Sequence, residues 1–497
     1  MKYEIKSLGK HKKQFQTPKM KVPAILYVSD ELMPSETTLE EIEQTAASGY
    51  VFHHFAALSD VHSKKGRKNP AGTVVPTKEY FLPQINDTAP NCGMRFLKTS
   101  LTDADMTEEK IEKLFNALIR PIPTKAYLGE IIPFSLVMEI CQKGVEPVVK
   151  YFEIKTKSEI ENTFKNGNFF EGEISSKDIW NTLPKLFLWI GKYRLGILGA
   201  AGNHFLDLMK ITEIKNEHLA EKLGVRKGQY IFLMHTGSGL LGQYASYLYT
   251  PKEKEHLSQK IILELGKLTF WPENKKIFQK LNKKIKEYKG KPEYLAYHED
   301  SPEGKKFITA HWAAANHGFA NRAILTHKLH QTIEKILGKD PELELLYDMP
   351  HVYIDKEQHY GEKVWVHRNN TSRAFGPARM KNHPVFSGTG EPVFLPSSMS
   401  TPAYLAVGTD ENEETFFSAA HGTGRRRQPE NDKVQTKEEL LAKMKKRKVK
   451  LFNAKSKGIV FQDASYYKDV EEVIEGMEEN RIVKTVARME PLAVLMY

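Results

Sequence analysis

Five short segments scattered along the chain each set an imidazole or a thiol beside a tight turn. They are Asn91-Cys92-Gly93, Leu198-Gly-Ala-Ala-Gly-Asn203-His204, His235-Thr-Gly-Ser-Gly, Tyr347-Asp-Met-Pro-His351 and Ser418-Ala-Ala-His421-Gly-Thr-Gly424. Taken singly, each histidine or cysteine reads as an ordinary loop or structural residue. Taken together, they call for a fold in which loop starts from distant parts of the chain converge. Glycines after His421 leave the backbone there unshielded, so its ring can approach a phosphorus atom closely. The arginines that follow, Arg425, Arg426 and Arg427, suit a polyanion. The set suggests a metal-assisted nucleotidyl-transfer site.

A chain of 497 residues with 40% hydrophobic content can build one large core with insertions. No run of about 18 apolar residues occurs, so no membrane span is expected. The start, Met1-Lys-Tyr-Glu-Ile-Lys, carries charges where a signal peptide needs apolar residues. Two cysteines, Cys92 and Cys141, make no disulfide framework, and a cytoplasmic setting is expected. The net charge of +11 favours an acidic partner, most commonly nucleic acid, although a basic enzyme without one fits as well.

Along the chain, Thr38-Leu-Glu-Glu41 has a capping-box pattern and predicts a helix start. Residues 51–58 read as a buried strand running on to Asp60-Val-His62, and 63–70 as a basic turn. Short strands are expected over 71–101, a helix over 106–119, and strands mixed with polar loops over 125–200. Gln229–Met234 reads as a buried strand that delivers His235 at its end. A lysine-rich insertion at about 251–305 is expected to be a solvated helical excursion rather than an RNA-contact surface. A long helix is predicted over 307–337, strands over 364–408, and a basic helix capped by Thr436 and Glu439 through Lys450. A terminal strand is expected over 482–497. There is no internal repeat, no low-complexity linker, and no Rossmann or P-loop signature. The expectation is therefore an α+β fold, one large domain over 1–497 with mixed sheets flanked by helices.

Cys92 lies between Asn91 and Gly93, a composition that describes an exposed turn where a thiolate can bind a divalent transition metal. His204, His235 and His351 are too far apart in sequence for a local metal motif. Imidazole suits manganese, iron, nickel and zinc alike. His367-Arg368 and Arg373 flank a polar turn, where arginine either clamps phosphate or forms a salt bridge. Pro396-Ser-Ser-Met-Ser-Thr401 offers hydroxyls and amides that can cradle a nucleotide.

In order and over nearly the whole chain, these segments resemble the RtcB family of RNA ligases. Asp60-Val-His62 is similar to "PDVH", Asn91-Cys-Gly-Met-Arg95 to "NCGVR" and Leu195–Asp207 to "LGTLGGGNHFIE". His235-Thr-Gly-Ser238 resembles "HTGSRG", Ala313–Arg322 "AAANFAWANR" and Tyr347–His351 "YDVAHN". His367–Pro377 resembles "HRKGATRAFGP", Ser398-Met399 lies in a segment like "PGSMGT", and His421–Arg425 is similar to "HGAGR". The resemblance implies that His421 attacks the α-phosphate of GTP to form a histidine–GMP adduct. It implies two manganese ions, with ligands at Cys92, His204, His235 and His351. Asn203, Phe205, Asp207, Pro396, Ser398, Met399, Gly422 and Gly424 would border the nucleotide, and Arg368, Arg373 and Arg425 would hold RNA. The implied substrates are RNA ends bearing a 3′-phosphate or 2′,3′-cyclic phosphate and a 5′-hydroxyl, joined in RNA repair or tRNA splicing.

The chain departs from the family pattern at several positions. Ala89 replaces an aspartate ligand three residues before the cysteine, with Asp87 nearby as a candidate substitute. Gly239 replaces an arginine, Asn369 a lysine, Val352 an asparagine, and Met496 a lysine placed at the guanine. Two other readings stay open: an enzyme with another nucleotide or acceptor, and a non-catalytic RNA-binding homologue.

Overall fold

The computed structural model describes residues 3–199, 203–252, 256–270, 272–426 and 434–497, with backbone alone for 272–275. Helices and two large sheets alternate irregularly along the chain, the α+β architecture expected. The first sheet has seven strands, in the order Ile5–Gly9, Lys12–Phe15, Ala24–Leu26, Phe55–His62, Ala71–Thr77, Glu362–Asn369 and Val352–His359. Only Ala24–Leu26 and Phe55–His62 run parallel.

The second sheet runs Glu344–Pro350, Gly93–Lys98, Tyr230–Thr236, Phe205–Ile214, Val483–Met496, Ala403–Gly408 and Pro392–Leu395. Lys450–Phe452 adds to Val483–Met496 in parallel. The strands Ala71–Thr77, Gly93–Lys98 and Tyr230–Thr236 are buried along their whole length. Such strands read as continuous apolar runs rather than alternations. A two-stranded ribbon pairs Thr371–Arg373 with Ser418–Ala420.

The register of the second sheet does the positioning. Gly93 stands opposite both Thr236 and Pro350, and His235 stands opposite both Met94 and Phe205. The residues just beyond three of these strand ends are Cys92, His351 and His204. Four neighbouring strands therefore present their sulfur and imidazole groups at one end of the sheet.

A 36-residue helix, Pro302–Leu337, backs that end. It starts where the Ser301 hydroxyl accepts from the Gly304 N–H (3.0 Å) with Pro302 in the first turn, and stops at Gly338 in the left-handed region. Its buried alanines, Ala313–Ala315 among them, let strands and loops pack close. A side chain at Gly318 would lie 2.8 Å from the Asn91 carbonyl oxygen, so the loop carrying Cys92 can rest there only on glycine. Two polar side chains of the same helix tie the site loops down. Asn321 accepts from Gly196 N–H (2.8 Å) and donates to the Ile197 and Gly237 carbonyls (3.1 Å each). Arg322, fully buried, donates to the carbonyls of Asn91 (3.0 Å) and Thr236 (2.9 Å) and pairs with Asp348.

Several expectations need correction. The regular elements within residues 125–199 are helices rather than strands: Phe134–Lys143, Glu146–Tyr151, Ser176–Thr182 and Lys185–Lys192. Pro133, Pro147 and Pro184 sit at the starts of three of these helices, where a missing N–H costs nothing. The first helix runs Glu36–Ala47 and is capped by Ser35, whose hydroxyl accepts from the Thr38 N–H (3.3 Å). Thr38 is buried in it and accepts from Ser63 N–H instead (3.1 Å). The strand read from residue 51 begins at Phe55.

The insertion forms helices Leu257–Leu268 and Pro272–Glu287, which bury Leu263, Phe278 and Leu281 and expose Lys276, Lys280, Lys283 and Lys286. Thr436 and Glu439 form the expected capping box on Lys437–Lys446. Among the described residues, no helix is long and apolar enough to cross a membrane.

Candidate active site

At the shared strand end, Cys92 Sγ lies 3.3 Å from His235 Nε2 and 3.5 Å from His204 Nε2, and His235 Nε2 lies 3.2 Å from His351 Nε2. The ligand atoms of Cys92, His235 and His351 all fall within 4.8 Å of one another. The far nitrogens of two rings are committed. His235 Nδ1–H donates to the Asn203 carbonyl (2.6 Å) and His204 Nδ1–H to the Leu198 carbonyl (2.9 Å). Both Nε2 atoms therefore direct lone pairs inward, the second-shell arrangement of metal-binding histidines.

Burial holds His204 down at about 4, and holds His235 and His351 well below the ordinary histidine value, with neighbouring imidazoles adding to it. All three rings are thus neutral and available as ligands near pH 7. Burial also pushes the Cys92 thiol up to about 12. Its proton must leave as a metal enters. The turn at Cys92 was expected to be exposed. It is buried, because Asn91 donates to the Ala315 carbonyl (2.7 Å) and accepts from Arg322 (2.7 Å). A polar turn so satisfied needs no water.

His421 follows the Ser418–Ala420 strand, and its ring centroid lies 4.3 Å from that of His351. Its Nδ1 lies 2.9 Å from Oδ2 of Asp60, a fully buried residue of the Phe55–His62 strand. The Asp60 oxygen accepts from Nδ1–H, which fixes the tautomer and leaves the Nε2 lone pair as the nucleophile. Two neighbours hold Asp60 in place. Gly424 has φ +70°, and a side chain on it would come within 2.4 Å of the Asp60 carbonyl. Lys468 Nζ donates to the carbonyls on either side, Ser59 (2.6 Å) and Val61 (3.0 Å).

His421 and His235 open onto a cavity of about 290 Å³. The residues expected to border a nucleotide all line it: Asn203, Phe205, Asp207, Pro396, Ser398, Met399, Gly422 and Gly424. Arg425 lines it too, stacked 4.9 Å over the Tyr467 ring and donating to Gln462 Oε1 (3.2 Å). Asp207 is buried, its Oδ1 has no partner among the described residues, and burial raises its carboxyl well above the ordinary range. The apolar side of the cavity is Phe205, Met399 and Met496, with Met496 opposite Phe205 in the sheet.

Arg368 and Arg373 are each engaged by a buried glutamate, the salt-bridge role that the sequence left open beside phosphate binding. Arg368 is fully buried; its Nη2 donates to Glu357 Oε2 (2.9 Å) and the Phe416 carbonyl (2.8 Å), and its Nε to Ser418 Oγ (2.9 Å). Arg373 makes a bidentate pair with buried Glu391 and lies against Phe164 and Phe375, at a separate cavity. Arg427 and the glycine-turn residues 200–202 lie outside the described residues. Asp87 does not take the place of the missing aspartate. Its carboxylate is occupied by Lys64 (2.6 Å), Arg67 (2.8 Å) and Asn370 (3.0 Å), and these cations more than offset burial to hold it well below the usual range.

Sequence reasoning gave Asp60, His62, Lys64, Asn370 and Thr423 no role, although all touch His421 or line its cavity. The Asp60-Val-His62 motif carried a signal for the first two, and the His367–Pro377 and His421–Arg425 segments contained Asn370 and Thr423; Lys64 had none.

The sequence model described as tRNA-splicing ligase RtcB matches residues 41–496. The chain is 28% identical to tRNA-splicing ligase RtcB of Methanococcus maripaludis, covering 96% of this chain and 95% of that protein. It is equally identical to the proteins of that description from Nanoarchaeum equitans (96% of each chain) and Thermococcus kodakarensis (96% and 95%). With the match running from the first helix to the last strand, and through every loop that meets at the cavity, the chain belongs to the tRNA-splicing ligase RtcB family.

Proposed function

We propose that this protein is an RNA ligase acting in tRNA splicing or RNA repair. In this reading it uses GTP and manganese to join a 3′-phosphate or 2′,3′-cyclic phosphate end to a 5′-hydroxyl end. The observation that carries the reading is the pairing of His421 with Asp60 beside three inward-facing imidazoles and a thiol. Family membership supports the RNA ligase part.

Cys92, His204, His235 and His351 would hold the metal. When bound, it would neutralise phosphate charge and polarise the reacting phosphorus. His421 Nε2 donates its lone pair to the α-phosphorus of GTP, the bond to the β-phosphate oxygen breaks, and pyrophosphate leaves with that electron pair. His421 keeps its Nδ1 proton, and Asp60, accepting that N–H, stabilises the positive ring that results. An oxygen of the RNA 3′-phosphate then displaces His421, carrying GMP onto the RNA end. The 5′-hydroxyl of a second end attacks that phosphate, GMP leaves, and the strand is sealed. A cyclic phosphate is opened by water beforehand. The Asp207 carboxyl, unpartnered among the described residues, suits the N–H and amino edge of guanine, which adenine lacks. Arg425, which lines the cavity with Tyr467, would meet the RNA backbone.

Incubating the protein with GTP, manganese and RNA carrying these ends tests the reading. A joined product is expected, and no joining with either 3′ end would overturn it. Met496, apolar at the base end of the cavity, favours a second reading in which another nucleotide is used. Joining with ATP and not GTP would select it.

A further inference from the structure

The donor set at the shared strand end is one thiol and three imidazoles, and among the described residues no carboxylate joins Cys92, His235 and His351. Such a set neutralises one divalent ion well. Two ions about 3.5–4 Å apart repel strongly and rely on anionic ligands to stay together. The nearest carboxylate in sequence, Asp87, is fully taken. Its N–H donates to Asn369 Oδ1 (2.8 Å), and its oxygens are held by Lys64, Arg67 and Asn370.

This arrangement fixes a cation rather than an anion beside the reacting groups. Lys64 lines the same cavity as His421 and His235, with about a third of its side chain open, and Asn370 lines it alongside. A salt-bridged lysine with a free face is a preset phosphate group binder: its orientation is fixed by Asp87, and two N–H bonds remain for a ligand.

We propose that the Lys64 ammonium, oriented by Asp87, binds a phosphate group in this site and supplies the positive charge of a second metal ion, so that the protein works with one ion per chain. This inference rests on the nucleotidyl-transfer reading above. The phosphate has two possible sources, the phosphate chain of the nucleotide and the 3′-phosphate of the RNA.

The test uses the full chain as wild type, Lys64→Met and Lys64→Arg. Calorimetry of metal-free protein with inorganic pyrophosphate, and separately with a short RNA ending in a 3′-phosphate, reads binding without activity. At least a tenfold weakening in Lys64→Met, largely restored in Lys64→Arg, is expected in one arm, and that arm names the source. Equal binding by wild type and Lys64→Met in both arms, or no binding by wild type in either, overturns the proposal. Manganese titration of wild type is expected to saturate near one ion per chain; two ions of similar affinity also overturn it. If wild type never takes nucleotide label while the Lys64 dependence holds, the functional reading has failed and the phosphate site stands.

Discussion

His421 Nδ1 lies 2.9 Å from Asp60 Oδ2, joining a turn near the end of the chain to a strand near its beginning. The contact sets the tautomer of the ring, and so decides which nitrogen faces the cavity. Asp60→Asn keeps the shape but replaces a proton acceptor with an amide that can face either way. Covalent labelling by the nucleotide is expected to slow by about 100-fold or more, with the melting temperature little changed. Single-turnover labelling checks this, and a wild-type rate would show that Asp60 only fills space.

Ala89 stands at the turn before Cys92, where its carbonyl accepts from the Cys92 N–H (3.0 Å). Ala89→Asp adds a carboxylate beside the thiol and is expected to tighten manganese binding by about tenfold, the effect usual for one supporting group. Calorimetry measures it directly. Unchanged affinity would mean that a side chain at this position points away from the cluster.

The fully buried Arg368 and the half-buried Arg425 should separate cleanly. Arg368→Ala leaves Glu357 buried without its partner and is expected to cost about 3–5 kcal/mol of stability. Arg425→Ala is expected to leave the fold intact and flatten the salt dependence of RNA binding by about one unit of slope. Urea unfolding and a salt titration of RNA affinity read the two effects. A flattened salt slope in Arg368→Ala at full stability would contradict the assignment.

Stability is expected to fall in mild acid. Burial holds His311 and His367 down at about 3 and His317 at about 4, against about 6.5 when unfolded. Below pH 6.5 the unfolded chain takes up protons that the folded chain refuses, so the stability present above 6.5 is lost as pH falls toward 4. At pH 5 each histidine costs roughly 1–2 kcal/mol relative to pH 7. Urea midpoints of metal-free protein at the two pH values check this, and equal midpoints would contradict it.

Much of the site was legible in sequence because its parts are short and local. Cys92, His204, His235 and His351 could each be picked out beside a turn, but their meeting depends on registers such as Gly93 opposite Thr236 and Pro350, which no local pattern encodes. The partner of His421 was invisible for the same reason, since Asp60 lies 361 residues away. The salt bridges of Arg368 and Arg373 could not be read from sequence, because their partners Glu357 and Glu391 are supplied by other strands or turns. Helices of six to ten residues over 134–192 were missed because they carry too few turns to establish a period, and three of the four begin at prolines.

The most direct measurement of the central claim is incubation of the protein with α-labelled GTP and manganese, followed by a search for acid-labile, base-stable label on the chain. The account predicts label on wild type and none on His421→Ala, with the variant still folded. Label that persists in His421→Ala would contradict the assignment of the nucleophile, and absence of label from wild type with GTP and ATP alike would contradict the reaction itself.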